Sequence, residues 1–157
     1  MNRPFEEVVR EHGPTVVRVC RAVLGQGPDA EDAWSETFLA ALKTWPTLDE
    51  DTNIEAWLVR VATRKAIDVT RARARHALPV AEVPEKGTTN TDPVEGDQAV
   101  WDAVARLPLR QRQAIASHYI GGLSHAQTAE LVGSSADAVR RAAAAGMKTL
   151  RAIYLHR

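Results

Sequence analysis

Apolar residues in this 157-residue chain recur at helical spacing on either side of one interruption, and Val, Ile and Thr never alternate with polar residues long enough for a strand. Pro14 and Gly25 bracket TVVRVCRAVLG, which predicts a helix with Val16, Cys20, Val23 and Leu24 on one face. A second helix is predicted from Asp29 as N-cap to Trp45, where Pro46 stops it. Ala30, Ala33, Trp34, Thr37, Phe38, Ala41, Leu42 and Trp45 make its inward stripe. A third runs from Asn53 as N-cap to about His76, burying Leu58, Val61, Ala62, Val69 and Ala72. The segment HALPVAEVPEKGTTNTDPVEGDQ then breaks the period with three prolines and two glycines, the composition of a linker.

Beyond the linker the punctuation is more telling than the apolar pattern. WDAVARL precedes Pro108, which opens LRQRQAIASHYI; Ser124 with Gln127 forms a capping box, Gly133 ends that helix, and Ser135 caps the next. Helix, three-residue turn, helix is the helix-turn-helix layout. In the last helix Val139, Ala142, Ala143, Gly146, Met147 and Leu150 share one face, and Arg140, Arg141, Ala144, Lys148 and Arg151 the other. The expected fold is all-α, in two small helical lobes: a three-helix-type lobe at 1–76, a polar linker at 77–98, and a helix-turn-helix lobe at 99–157.

Composition narrows the class. Hydrophobic residues make up 45% and charged residues 25%, close to the average for soluble globular proteins, and no run of about 18 apolar residues exists to cross a membrane. The opening MNRPFEEVVREHGPTVV carries charges where a signal peptide needs an apolar stretch, so a cytoplasmic protein is expected. Cys20 alone makes no internal disulfide and reads as packing, and with no Cys and His at ligand spacing, neither a metal nor another cofactor is expected. No Gly-rich phosphate loop, HExxH, nucleophile elbow or paired metal ligands is present, and His12, His76, His118, His125 and His156 are scattered. An enzyme is therefore not expected.

The net charge of zero hides segregation: residues 77–105 carry net −5 and residues 106–157 net +6. On the second helix the face opposite the apolar stripe gathers Asp32, Ser35, Glu36 and Leu39, a leucine among acids, which is either a solvated acidic face or a partner surface. On the third, Arg60, Arg64, Asp68, Arg71 and Arg75 fall in one stripe about 80° wide. Asp68 is placed to pair with Arg64 and Arg71, at about 0.3–0.5 kcal/mol each, too little to offset the crowding of like charge. Such a stripe suits phosphate. The basic face of the last helix is likewise suited to a major groove and its phosphates.

These strings, in this order, resemble an extracytoplasmic-function (ECF) sigma factor, the small bacterial RNA polymerase subunit of the sigma-70 family. The resemblance is carried by AEDAWSETFLAA, EAWLVRVATRKAIDVTRARAR and ARLPLRQRQAIASHYIGGLSHAQTAELVGSS, and covers nearly the whole chain. It implies a promoter-recognition subunit with core RNA polymerase and promoter DNA as partners, and it admits an anti-sigma protein as a further one. It implies that Asp32, Ser35, Glu36 and Leu39 meet a basic coiled coil of the large polymerase subunit, with Leu39 as anchor. It implies that Arg60, Arg64 and Arg71 hold phosphates of the minus-ten element, with Thr52, Asn53 and Ile54 in the loop that captures a flipped base of the opened strand. For the minus-thirty-five element it implies Arg110 and Arg112 on the backbone and Ser135, Arg140, Arg141 and Lys148 at the recognition helix. The chain departs from the family at Ala142 to Ala145, where basic residues are usual, at Gln127 for an acid, at Ser35 for Gln, and at Thr63, Arg64 and Lys65 for Arg, Asn and an apolar residue. The alternative to a promoter reader is a sigma-like interaction protein that binds polymerase or a regulator without reading sequence.

Overall fold

A computed structural model describes residues 1–76 and 98–155, and all regular structure among them is helical. Three long helices, α1 (Phe5–Leu24), α2 (Pro28–Thr44) and α3 (Ile54–Arg75), make the N-terminal lobe. Shorter helices α4 (Gln98–Ala105), α5 (Leu109–Ala114), α6 (His125–Val132) and the long α7 (Ala136–Leu155) make the other. Most of the expected linker lies outside the described residues; its last position, Gln98, opens α4. No helix among the described residues is long and apolar enough to cross a membrane.

Helix α1 starts nine residues earlier than the proline pattern predicts, at Phe5, and contains Pro14. The ring sits on the solvent side of the helix, where water can satisfy the Arg10 carbonyl that the missing N–H leaves free. The buried stripe runs through it, from Val8 and His12 to Val16, Val19, Cys20 and Val23. In α2, Gly27 rather than Asp29 is the N-cap and Pro28 takes the first helical position. Its predicted stripe is buried at Ala30, Ala33, Thr37, Phe38, Ala41 and Trp45, but Leu42 is 50% exposed. Aromatic contacts pin the lobe: Phe5 meets Phe38 and Trp45 edge-on, and Trp34 and Trp45 donate their indole N–H groups to the carbonyls of Gly13 and Arg3. Helix α3 is capped as its sequence predicts, Asn53 Oδ1 accepting from Ala56 N–H at 3.1 Å.

Helix α3 has three faces. Leu58, Ala62 and Ala66 are fully buried in the core shared with α1 and α2. The expected Val61, Val69 and Ala72 are only partly covered, because a second buried row of Val59, Thr63 and Ile67, spaced by four, turns toward the other lobe. There Gly121 lies so near Val59 that a Cβ on it would stand 2.5 Å from Cγ1. Thr63 Oγ1 and Ser117 Oγ sit 3.5 Å apart, both buried, and Ile67 joins a cluster of Ala114, Ala129, Val132, Val139 and Ala143. Trp101, Val104, Ala116 and Leu123 in turn complete the core around α1. The two lobes are thus closed on one another. Arg112 adds a polar clasp, its Nε donating to the Val23 carbonyl at 3.1 Å and Nη1 to Leu107 at 2.7 Å.

In the C-terminal lobe, α5 runs into a π-helical segment, Ile115–Ile120, closed by Gly121 N–H on the Ala116 carbonyl. The capping box forms with both hydrogen bonds present, Ser124 Oγ accepting from Gln127 N–H and Gln127 Oε1 from Ser124 N–H. Gly133 ends α6 in the left-handed region at φ 70°, where a side chain would be strained. Gly146 of α7 lets that helix approach α5 and the π-helical segment after it: a Cβ there would lie 2.6 Å from Ile115 Cδ1 and 3.4 Å from Gln111 Cβ.

Candidate polymerase and DNA interfaces

Three surfaces carry the sequence-predicted site residues. On α2, Asp32, Ser35, Glu36 and Leu39 are all exposed and share a face, Leu39 at 60%. The pattern missed Leu42, which it placed in the core. At i+3 from Leu39, Leu42 extends the exposed apolar strip by one turn. Two exposed leucines flanked by carboxylates form an anchor with a charged rim, the anatomy of a protein-binding patch.

On α3, Arg64, Asp68, Arg71 and Arg75 are exposed and Arg60 is partly covered. The expected relief by Asp68 is not seen: among the described residues no carboxylate lies within 4.0 Å of Arg60, Arg64, Arg71 or Arg75. The stripe is therefore a row of guanidinium groups without an ion-pair partner, net positive despite Asp68, along one side of a rigid helix, with the interlobe row 59, 63, 67 directly beside it. Arg73 points elsewhere, chelating Asp29 Oδ2 through Nε and Nη2 at 2.9 and 2.6 Å and reaching the Leu24 carbonyl. Just before α3, Thr52 and Ile54 are half-buried and Ile54 packs on the core, while Asn53 is exposed with its side-chain oxygen held by the cap. His12 Nδ1 meets Glu55 Oε2 at 3.1 Å, fixing the start of α3 to α1.

On the C-terminal lobe, α7 presents the division the sequence predicts. Val139, Ala143 and Gly146 are buried, Ala142, Met147 and Leu150 partly so, and Arg140, Arg141, Ala144, Ala145 and Lys148 exposed. Ser135 Oγ accepts from Ala138 N–H at 3.1 Å. Arg140 Nη1 donates to Asp137 Oδ1 at 2.6 Å. Arg110 and Arg112 are engaged within the protein: Arg110 Nη1 donates to the Val132 carbonyl at 2.7 Å, and Arg112 forms the interlobe clasp. Burial, and then the nearby Arg73, press the Arg112 pKa below its usual value. Beside the helix-turn-helix, the rings of His118 and His125 stack at 3.9 Å, with His118 Nδ1–H on the Leu123 carbonyl. Burial, then His118 and Arg140, hold His125 below the ordinary histidine range.

Among the described residues no three His, Cys, Asp or Glu gather as metal ligands. Burial pushes the Cys20 thiol up to about 12, which leaves it an inert core group.

Comparison with known proteins gives two family matches, "Sigma-70 region 2" over residues 8–76 and "Sigma-70, region 4" over residues 97–150. The chain is 32% identical over 159 residues to the ECF RNA polymerase sigma factor SigD of Mycobacterium tuberculosis, covering 94% of this chain and 75% of the relative. It is 32% identical over 156 residues to the ECF RNA polymerase sigma factor ShbA of Streptomyces griseus, covering 89% and 82%. Its fold is similar to that of the sigma factor RpoE of Bartonella quintana, solved in complex with the anti-sigma factor NepR, with a TM-score of 0.68 over 96% of both chains at 16% identity.

Proposed function

This chain belongs to the extracytoplasmic-function subfamily of the sigma-70 family of bacterial RNA polymerase sigma factors, and on that premise we propose which surface does which part of the work. The protein directs core polymerase to specific promoters for transcription initiation and is not an enzyme. The lobe at 1–76 binds core polymerase through Asp32, Ser35, Glu36 and Leu39, with Leu42 as a second anchor, and meets the minus-ten element through Thr52, Asn53, Ile54, Arg60, Arg64 and Arg71. The lobe at 99–157 reads the minus-thirty-five element as duplex, with Ser135, Arg140, Arg141 and Lys148 on the groove side and Arg110 and Arg112 toward the backbone. The observation that carries this assignment is the unpaired guanidinium row of α3, which stands on the same rigid three-helix unit as the acidic, leucine-bearing face of α2. Like charges held this close are stabilised by an anionic ligand, and DNA is the anion a polymerase brings.

The closed arrangement then has a consequence for mechanism. Elements named for positions ten and thirty-five lie about 25 base pairs apart, roughly 85 Å of duplex at about 3.4 Å per pair. A compact chain of this length has a radius of gyration of only about 15 Å. Engaging both elements requires the lobes to part, breaking the Arg112 clasp and the Thr63–Ser117 contact and freeing Arg112 for phosphate. By analogy with Bartonella RpoE and NepR, an anti-sigma protein is the kind of regulator that would hold this chain away from polymerase. The cytoplasm, where the polymerase is, is the compartment in which it acts.

The test is a pull-down of core polymerase by the full chain followed by run-off transcription on genomic fragments. Binding with discrete start sites is expected. Binding without any promoter-specific product favours the interaction-protein alternative, and no binding refutes the assignment.

A further inference from the structure

We propose that Asp137 is a positioning residue for promoter reading: its carboxylate holds the Arg140 guanidinium for a base edge and disfavours docking of that guanidinium on phosphate. The inference rests on the reading of α7 as the helix that enters the groove. Ser135 caps the helix through Ala138 N–H, so Asp137 stands in its first turn and Arg140 one turn on, on the same side. The pair closes at 2.6 Å between Arg140 Nη1 and Asp137 Oδ1, and both side chains are largely exposed, 59% and 75%. So exposed an ion pair adds little to folding. The guanidinium is thus held on one side by a carboxylate of its own helix and is otherwise open to solvent.

This matters because α7 offers so little else. Past Arg140 and Arg141 the exposed positions are Ala144 and Ala145, and the next long basic side chain is Lys148. A guanidinium has five N–H donors in a fixed fork; with one donor on Asp137, enough of the fork remains for guanine O6 and N7. An unheld arginine takes whichever acceptor is near, phosphate included, and phosphate carries no sequence. The Asp137 carboxylate counters that choice twice, by fixing the side chain and by repelling phosphate from the same spot. Its removal should therefore tighten binding to DNA at large while blurring the choice of sequence. A merely structural acid in the first turn of a helix, complementing the dipole, would behave differently, its loss weakening every sequence alike.

The experiment uses the full chain with core polymerase. Upstream elements are selected from a randomised promoter library, and affinities are then measured for the selected element, its single-pair variants and a scrambled element. Wild type, Asp137→Ala, Asp137→Asn and Arg140→Ala are compared. Asp137→Ala is expected to lose discrimination at one base pair by about fivefold to tenfold, with unchanged or tighter binding to the scrambled element. Asp137→Asn, which keeps a hydrogen-bond acceptor without the charge, should fall between, and guards against a folding defect in the alanine variant. Arg140→Ala should lose discrimination at that same pair. If Asp137→Ala and Asp137→Asn weaken all sequences equally and keep the preference, while Arg140→Ala relaxes it, the positioning role is refuted and the reading of α7 stands. If Arg140→Ala relaxes nothing, the reading of α7 itself fails and the proposal with it.

Discussion

Gly121→Ala probes the closed arrangement at its tightest point. A Cβ at Gly121 would stand 2.5 Å from Val59 Cγ1, against ordinary contacts of about 3.5–4 Å, so α3 and the turn after the π-helical segment must move apart by about an ångström. The carbonyls of Ser117 and Ala116, at 3.0 and 3.2 Å, block the alternative of tilting the methyl back into its own turn. Overpacking of this kind costs about 1–3 kcal/mol. Because the shortest of these contacts joins the lobes, the strain falls chiefly on closure, shifting the balance between closed and open forms by up to about 5- to 150-fold. If polymerase takes the open form, apparent affinity should rise by as much as that factor, up to the point where the free protein is already open. The assay pairs small-angle scattering of the free protein, with helix content followed by circular dichroism, and titration of core polymerase. A larger radius of gyration, unchanged helix content and tighter polymerase binding are expected. A variant with wild-type dimensions and wild-type affinity would refute the view that lobe closure competes with function.

Three further outcomes follow from the surfaces. Leu39→Ala with Glu36→Lys should abolish binding to core polymerase with the thermal midpoint of unfolding kept, since both side chains are exposed. Arg64→Ala with Arg71→Ala should weaken open-complex formation and lower its salt dependence by about one unit of slope per lost phosphate contact, with polymerase binding unchanged. His125 is held below its ordinary 6.5 by burial, His118 and Arg140, so near that pH the unfolded chain binds more protons than the folded one. Stability from this source is present above 6.5 and is lost as pH falls through it. Urea midpoints should therefore drop between pH 7.5 and 5.5 by less in His125→Asn than in wild type.

Much of this molecule was legible in its punctuation. Asn53, Ser124 with Gln127, Gly133 and Ser135 each do locally what their residue type dictates, and the two faces of α7 follow from small residues at one phase and arginines at the other. Pro14 misled because a proline on the solvent side of a helix costs one hydrogen bond that water can replace, and its sequence signal cannot be told from a helix start. Leu42 misled because its phase lies at the border of the inward stripe of α2, where only the position of α1 and α3 decides which side is covered. The third face of α3 was illegible for a different reason. Val59, Thr63 and Ile67 have the spacing of any buried row, and nothing local says that their cover comes from residues of the other lobe, far along the chain. Arg112 shows the same limit, since a carbonyl at the end of α1 and a phosphate attract the same guanidinium.

Footprinting of the complex of core polymerase and this protein on a promoter found by run-off transcription tests the division of labour most directly. The account predicts unpaired thymines in a downstream element and a protected duplex about 25 base pairs upstream, both lost with Leu39→Ala and Glu36→Lys. Unpaired thymines without upstream protection, or protection without strand opening, would contradict it.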